Sequence, residues 1–187
     1  MLRLDADIAQ EVRAAGCPCG GRLHTAAFPR KPRGLPPGSD SEALDHRPSF
    51  CCDRDGCRRR VTPPSVIFLG RRVYLGAVVV LTAALRHGPT HARVQTLAAL
   101  IGASVRTVKR WLAWWRERFT ATPLWRTLAG RVVLHDPAAR AELPWSLLVA
   151  AGAAVAEGEA LVRVMQWLLP LTARTGPPSG SRFARLF

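Results

Sequence analysis

Five cysteines carry the most explicit chemistry in this 187-residue sequence. Cys17 and Cys19 flank a proline in Gly16-Cys17-Pro18-Cys19-Gly20-Gly21, and Phe50-Cys51-Cys52-Asp53-Arg54-Asp55-Gly56-Cys57 supplies the other three. Zinc takes four thiolate or imidazole ligands in a tetrahedron, and two thiol-bearing turns that each give two ligands meet that need. In the second turn Cys52 pairs best with Cys57. Phe50 and Cys52 then share one face of a strand entering the turn, and Cys51 points away as a bystander. The expected set is Cys17, Cys19, Cys52 and Cys57 around one structural Zn2+. The first turn, C-P-C-G, is one residue short of the usual C-P-x-C-G, so His24 or His46 stands as the substitute for Cys19 if that turn cannot close. The competing reading is a decayed site that no longer holds metal.

Two such turns separated by a loop outline a zinc ribbon. A small β-unit with so little apolar content depends on its metal to fold. Residues 28–49 are dominated by Pro, Gly and Ser and predict an irregular loop, in which Arg30, Lys31 and Arg33 either track a phosphate backbone or simply face solvent. Ahead of the first turn, Leu2, Leu4, Ile8 and Val12 predict a short amphipathic segment over 2–15.

A second kind of chemistry lies further on, where Leu97 to Leu112 reads as two helices joined by a tight turn. Leu97, Leu100 and Ile101 recur at helical spacing, and Gly102 suits a turn that needs positive φ. Ser104 is placed as an N-cap. Val108, Leu112 and Trp115 fall at i, i+4 and i+7 on one stripe, which leaves Arg106, Thr107, Lys109 and Arg110 on the other side. A cationic face on the second helix of a helix-turn-helix is what entry into the major groove requires. An ordinary helical hairpin with a solvated arginine face is the alternative. Trp111 and Trp114 read as packing residues rather than base-stacking ones.

Charge supports an anionic partner. The formal net charge is +14 and the isoelectric point is near 11.4. Only two of the 27 basic residues are lysine, which points to a GC-rich coding bias, so their distribution says more than their number. Residues 76–135 hold nine basic residues against Glu117 alone, whereas residues 136–187 hold five against four acids. The positive charge gathers around the two helices.

The run Leu97-Ala98, Gly102, Ser104, Thr107-Val108, Arg110-Trp111-Leu112 resembles the helix-turn-helix of bacterial transposases and resolvase-like regulators, with Ala103 in place of the usual valine and Val105 where a polar residue is common. Arg58-Arg59-Arg60-Val61-Thr62 resembles the end of the N-terminal zinc ribbon of insertion-sequence transposases, where a basic strand and a Thr-rich turn lead into the first helix. The order ribbon, connector, helix-turn-helix spans about residues 16–119. The resemblance implies double-stranded DNA as partner, read by Arg106, Thr107, Lys109 and Arg110. Arg58, Arg59, Arg60, Arg71 and Arg72 are expected on phosphates, where they add affinity without sequence information.

The elements that must position these groups follow. The fold class expected is mainly α with a small β zinc ribbon at the N-terminus, then a helix-turn-helix and a helical C-terminal region. The expected domains are a ribbon over 1–72, a DNA-binding domain over 73–130 whose first helix covers 73–87 and stops at Gly88-Pro89, and a helical region over 131–187. Within the second, Thr122-Pro123 starts a helix that ends at Gly130; beyond it a loop runs through Asp136-Pro137, helices begin at Pro144 and Glu159, and the tail from Thr175 is expected to be disordered. Those apolar helices pack on the rest of the chain, or form a homodimer or dock a transposase partner.

No catalytic set is visible. After Phe119 the acids are Asp136, Glu142, Glu157 and Glu159, with no strand pattern to bring carboxylates together around two metals. Cys51 with His24 is a poor nucleophilic pair beside metal-ligand spacing. The function expected is that of a DNA-binding protein of mobile-element type without its own catalytic core, not an enzyme. A protein-interaction adaptor and the DNA-reading subunit of a multi-chain recombinase are the alternatives. The longest apolar stretch, about 145–156, is shorter than the roughly 20 residues that span a bilayer, so no membrane is expected as partner. With no catalytic set, no small-molecule substrate is expected either. A cytoplasmic, nucleoid-associated protein follows, with its thiols reduced.

Overall fold

The structure, a computed structural model, describes residues 1–29, 42–69, 74–76, 79–80, 90–132, 136–152 and 157–172. Seven α-helices dominate these residues, beside one three-stranded antiparallel sheet and two short two-stranded ones. Helix α1 (Leu2–Ala15) follows from its pattern: Asp5, Ile8, Ala9 and Val12, at i, i+3, i+4 and i+7, form its buried stripe. The sheet orders β1 (Leu23–Thr25), β4 (Phe50–Cys52) and β5 (Arg60–Val61), with β4 central. Leu23 lies opposite Cys52, His24 opposite Cys51, and Phe50 opposite Val61. Between them β2 (Phe28–Pro29) pairs with β3 (His46–Arg47). The loop residues Arg30, Lys31 and Arg33 lie outside the described residues.

The expected helix over 73–87 does not begin where its apolar run begins. Tyr74–Leu75 is a strand, β7, paired with β6 (Phe68–Leu69), and the Gly76 N–H closes on the Ile67 carbonyl at 2.6 Å. A β-branched and aromatic run serves a strand as well as a helix, and here the pairing partner decides. Residues 76, 79 and 80 are helical; 81–89 lie outside the described residues.

Helices α2 (His91–Leu100) and α3 (Val105–Ala113) are joined by a short turn in which Gly102 adopts φ 59°, a conformation that costs a side-chain-bearing residue. Thr90 caps α2, and Ser104 caps α3 by accepting the Thr107 N–H at 3.2 Å. The buried stripe of this first helix is Val94, Ala98 and Ile101. Leu100, at helical spacing from Leu97, is 56% exposed, one position off that stripe. Val108, Trp111, Leu112 and Trp115 are buried on the second.

Beyond Ala113 the helix changes pitch. A π-turn covers Trp114–Arg118, with the Phe119 N–H bonded to the Trp114 carbonyl, and a 3-10 turn covers Phe119–Ala121. The wider turn brings residues five apart onto one side, so Trp114 lies 5.4 Å from Phe119 while Trp115 meets the same ring edge-on at 4.8 Å. Trp125, from α4 (Pro123–Arg131), completes the group at 5.6 Å from Phe119. The expected loop at Asp136-Pro137 is a helix start: Asp136 caps α5 (Pro137–Ala141), and the proline occupies its first turn. Helices α6 (Trp145–Gly152) and α7 (Glu157–Trp167) pack together beyond it, and Leu147, Ala151, Val164, Met165 and Leu168 join one core with Ile8, Val94 and Trp115. The tail from Thr175 lies outside the described residues. Among the described residues no helix is long and apolar enough to cross a membrane.

A buried polar seam fastens the N-terminal part to Thr172, at the end of the 3-10 turn Leu169–Leu171. The Asp5 carboxylate accepts the Val66 N–H at 2.6 Å and the Ser65 hydroxyl, whose oxygen in turn accepts the Ile67 and Phe68 N–H groups. The Ser65 N–H donates to Thr172 Oγ1 at 2.9 Å, and Arg47 Nη2 donates to the carbonyls of Pro63 and Thr172 at 3.0 and 2.7 Å. Burial pushes the Asp5 carboxyl above its usual range, although these hydrogen bonds and the Arg47 charge pull the other way.

Candidate metal centre and cationic helix face

Cys17 and Cys19 lie in the turn that ends α1. The Cys17 N–H bonds to the Gly21 carbonyl at 2.9 Å and the Gly20 N–H to the Cys17 carbonyl at 2.8 Å, which folds the five residues into a tight loop. Cys52 ends β4, whose alternation buries Phe50 and Cys52 and leaves Cys51 half-buried. The chain then turns through Asp53 to Cys57, with the Cys57 N–H on the Arg54 carbonyl at 3.1 Å. Cross-strand pairing of Leu23 with Cys52 brings the two turns together.

The four sulfurs of Cys17, Cys19, Cys52 and Cys57 lie within 4.8 Å of one another. Cys17 Sγ is 3.7 Å from Cys57 Sγ, and Cys19 Sγ is 3.5 Å from Cys52 Sγ. Zinc–sulfur bonds of about 2.3 Å in a tetrahedron set sulfur–sulfur edges of about 3.8 Å. The cluster therefore has the dimensions of a single metal ion, and its four soft donors are compatible with one zinc. The one-residue shortening of the first turn does not stop its two thiols from reaching the cluster. Cys51 stands apart, its sulfur directed at the carbonyls of Cys52 and Arg58. Neither candidate substitute joins the sulfurs: His24 meets the Asp53 carboxylate at 3.4 Å, and His46 meets Asp45.

The thiols are unequal. Burial pushes Cys52 up to about 12, against the Arg54 N–H, which approaches its sulfur at 3.4 Å. The Gly21 N–H, helped by the neighbouring thiols, holds Cys19 down at about 6. For Cys17 the Cys19 N–H pulls downward, but burial and the Cys19 and Cys57 thiols leave it raised. Ala9 and Val12 of α1 pack with Leu23 and Phe50 around the buried Cys17 and Cys52, while Ile8, on the same helix, belongs to the main core. One helix thus touches both the sulfur cluster and the helical body.

Several groups around the cluster have no signal in ligand spacing. Asp53 accepts the Arg22 N–H at 2.8 Å and returns its own N–H to the Arg22 carbonyl at 3.0 Å, tying the second turn to β1. Burial works against the Asp53 carboxylate, yet the His24 and Arg22 hydrogen bonds and the His24 charge hold it below its usual range.

Of the residues expected at phosphates, Arg58, Arg59 and Arg60 are exposed, with Arg58 3.8 Å from Asp55; Arg71 and Arg72 lie outside the described residues. On α3, Arg106, Lys109 and Arg110 are exposed. Thr107 is not. It is 9% exposed, its hydroxyl lies 3.0 Å from the Ser104 hydroxyl, and it accepts from Arg110 Nη2 at 3.4 Å. Its expected place on the open face of the helix is corrected: Thr107 is buried and belongs to the cap. Comparison with protein-family profiles, curated proteins and solved structures gives no match to this chain.

Proposed function

We propose that this chain binds double-stranded DNA through α3, with one structural zinc held by Cys17, Cys19, Cys52 and Cys57. In this reading it is a ribbon and helix-turn-helix protein of the mobile-element type and carries no catalytic core of its own. The observation that carries it is the division of α3 into two faces. Val108, Trp111 and Leu112 are buried, while Arg106, Lys109 and Arg110 are exposed beside a turn set by Gly102 and capped by Ser104. Three cations in little more than one helical turn repel each other unless an anion lies among them, and a duplex phosphate backbone offers a row of them. Arg106, Lys109 and Arg110 face the groove; Arg58, Arg59 and Arg60 add non-specific phosphate contacts.

Titration of a labelled duplex at two salt concentrations, with zinc content measured on the same sample, tests both parts. Binding that weakens steeply with salt, with about one zinc per chain, supports the reading. Binding without zinc would retain α3 and remove the metal. Absence of binding at low salt would leave a protein-partner role, which Val149, 53% exposed on the uncharged helix α6, would then serve.

A further inference from the structure

Arg54 contacts the residues of the sulfur cluster in three ways, one of which crosses between the two turns. Its backbone N–H points at Cys52 Sγ, its carbonyl accepts the Cys57 N–H, and its guanidinium Nη1 donates to the Cys19 carbonyl in the opposite turn. One residue thereby touches three of the four ligand residues. The first two contacts are backbone contacts that any residue type supplies. The third is specific to a long cationic side chain.

The shortened first turn gives that third contact its purpose. Cys17 and Cys19 are separated by Pro18 alone, and a proline has no N–H to offer. The turn's own backbone bonds run between Cys17 and Gly20 and between Cys17 and Gly21, so they anchor Cys17 at both its N–H and its carbonyl. Within the turn the Cys19 N–H is directed at the Cys17 sulfur and the Gly21 N–H at the Cys19 sulfur, whereas the Cys19 carbonyl is held from the opposite turn, by Arg54. A glycine leaves room for the Arg54 stem: a Cβ at Gly21 would come 3.1 Å from the Arg54 Cβ.

The geometry points to the Arg54 side chain as the positioning residue of the metal centre, a tie across the two turns that holds Cys19 at bonding distance in place of the missing residue. This rests on the metal reading of the four cysteines. Groups that orient metal ligands without touching the metal govern how long the metal stays, because a ligand free to swing away opens the first step of release.

The test uses the full-length protein loaded with Co2+, whose thiolate charge-transfer band reports bound metal, and follows loss of that band to excess chelator. Arg54→Ala is expected to speed release by about tenfold, with Arg54→Lys, which can still reach a carbonyl with one donor, closer to wild type. Arg22→Ala serves as the control for loss of a neighbouring exposed cation and should release metal at the wild-type rate. Equal release from Arg54→Ala and wild type would overturn the tie while leaving the metal centre standing. A wild-type protein that takes up no Co2+ would overturn the metal reading itself. If Arg54→Ala fails to fold, Arg54→Lys and Arg54→Gln decide: the tie requires Gln, too short to span the turns, to release metal faster than Lys, and the reverse order overturns it.

Discussion

Gly21 lies directly beneath Cys52: a Cβ built on Gly21 would stand 2.5 Å from Cys52 Sγ and 3.0 Å from Asp53 Oδ1. Neither neighbour can yield. Cys52 is 1% exposed at the end of a paired strand, and Asp53 is tied to Arg22. Gly21→Ala should therefore displace the sulfur rather than the methyl, and metal affinity should fall by about 10- to 100-fold. Chelator competition on the purified variant measures this. An unchanged affinity would mean that the sulfurs do not share one ion.

Metal entry should depend steeply on pH. Cys19, held at about 6, is already a thiolate at neutrality, whereas Cys52, at about 12, and the raised Cys17 are still thiols there. Both must lose a proton to bind metal. These two alone make the affinity rise by about 100-fold for each pH unit between 7 and 8. Competition against a chelator of known affinity at both pH values reads the slope, and calorimetry in buffers of different ionisation enthalpy counts the protons directly. A flat profile would contradict a cluster that is protonated before it binds.

How much of this was legible in the chain depends on where each residue finds its partner. The burial of Ile8 and Val12 on α1, the caps at Ser104 and Thr122, and the burial of Val108, Leu112 and Trp115 follow from local spacing, because their partners are one or two turns away. Leu2, expected on the same α1 stripe, is exposed. The alternation of Phe50, Cys51 and Cys52 is local too, and it suffices to separate the clustered cysteine from the bystander. Asp5 looks like a first-turn acid stabilised by the helix dipole; its partners, Ser65 and Val66, are 60 and 61 residues away. Tyr74–Leu75 continues an apolar run that spacing assigns to a helix, and only pairing with Phe68–Leu69 makes it a strand. Arg54 has no pattern of its own, since its partner carbonyl is 35 residues back in another turn. Patterns within an element can be read from sequence; ties between elements need the fold.

The Asp5 seam makes a stability prediction with a sign. Asp5→Ala leaves the Val66 N–H and the Ser65 hydroxyl without their acceptor in a site only 5% exposed, at a cost of about 3 kcal/mol. Asp5→Asn keeps the shape but presents an N–H where Ser65 Oγ already accepts two, so it should cost about 1–2 kcal/mol. The folded-state pKa of Asp5 is raised, so the fold binds its proton more tightly than the unfolded chain does. Its contribution is therefore most favourable below the unfolded value of 3.8 and is lost as pH rises through the folded value. Denaturant melts of wild type and Asp5→Asn at several pH values should show their gap widening toward acid. A gap that narrows toward acid would mean that the ionised form is the one the seam prefers.

Stability and DNA affinity should separate on α3. Ser104 accepts the Thr107 N–H at 3.2 Å, and its hydroxyl also meets the Thr107 hydroxyl, so Ser104→Ala removes the cap and should cost about 1 kcal/mol of stability. Lys109 is exposed, one position past the buried Val108. Lys109→Ala should leave the melt unchanged within about 0.5 kcal/mol, as surface substitutions do. Under the DNA reading it should weaken duplex binding at low salt and lower the salt slope by about one counterion. Arg110→Ala carries both signatures in part: its guanidinium donates to Thr107, so its loss slackens the cap and, under the DNA reading, also removes a cation that faces the groove. Its defect should be larger on a selected site than on random duplex, whereas that of Arg59→Ala should be equal on both. If Lys109→Ala and Arg110→Ala bind duplex as wild type does while Ser104→Ala melts earlier, α3 is a packing helix with a solvated face and the duplex is not its partner.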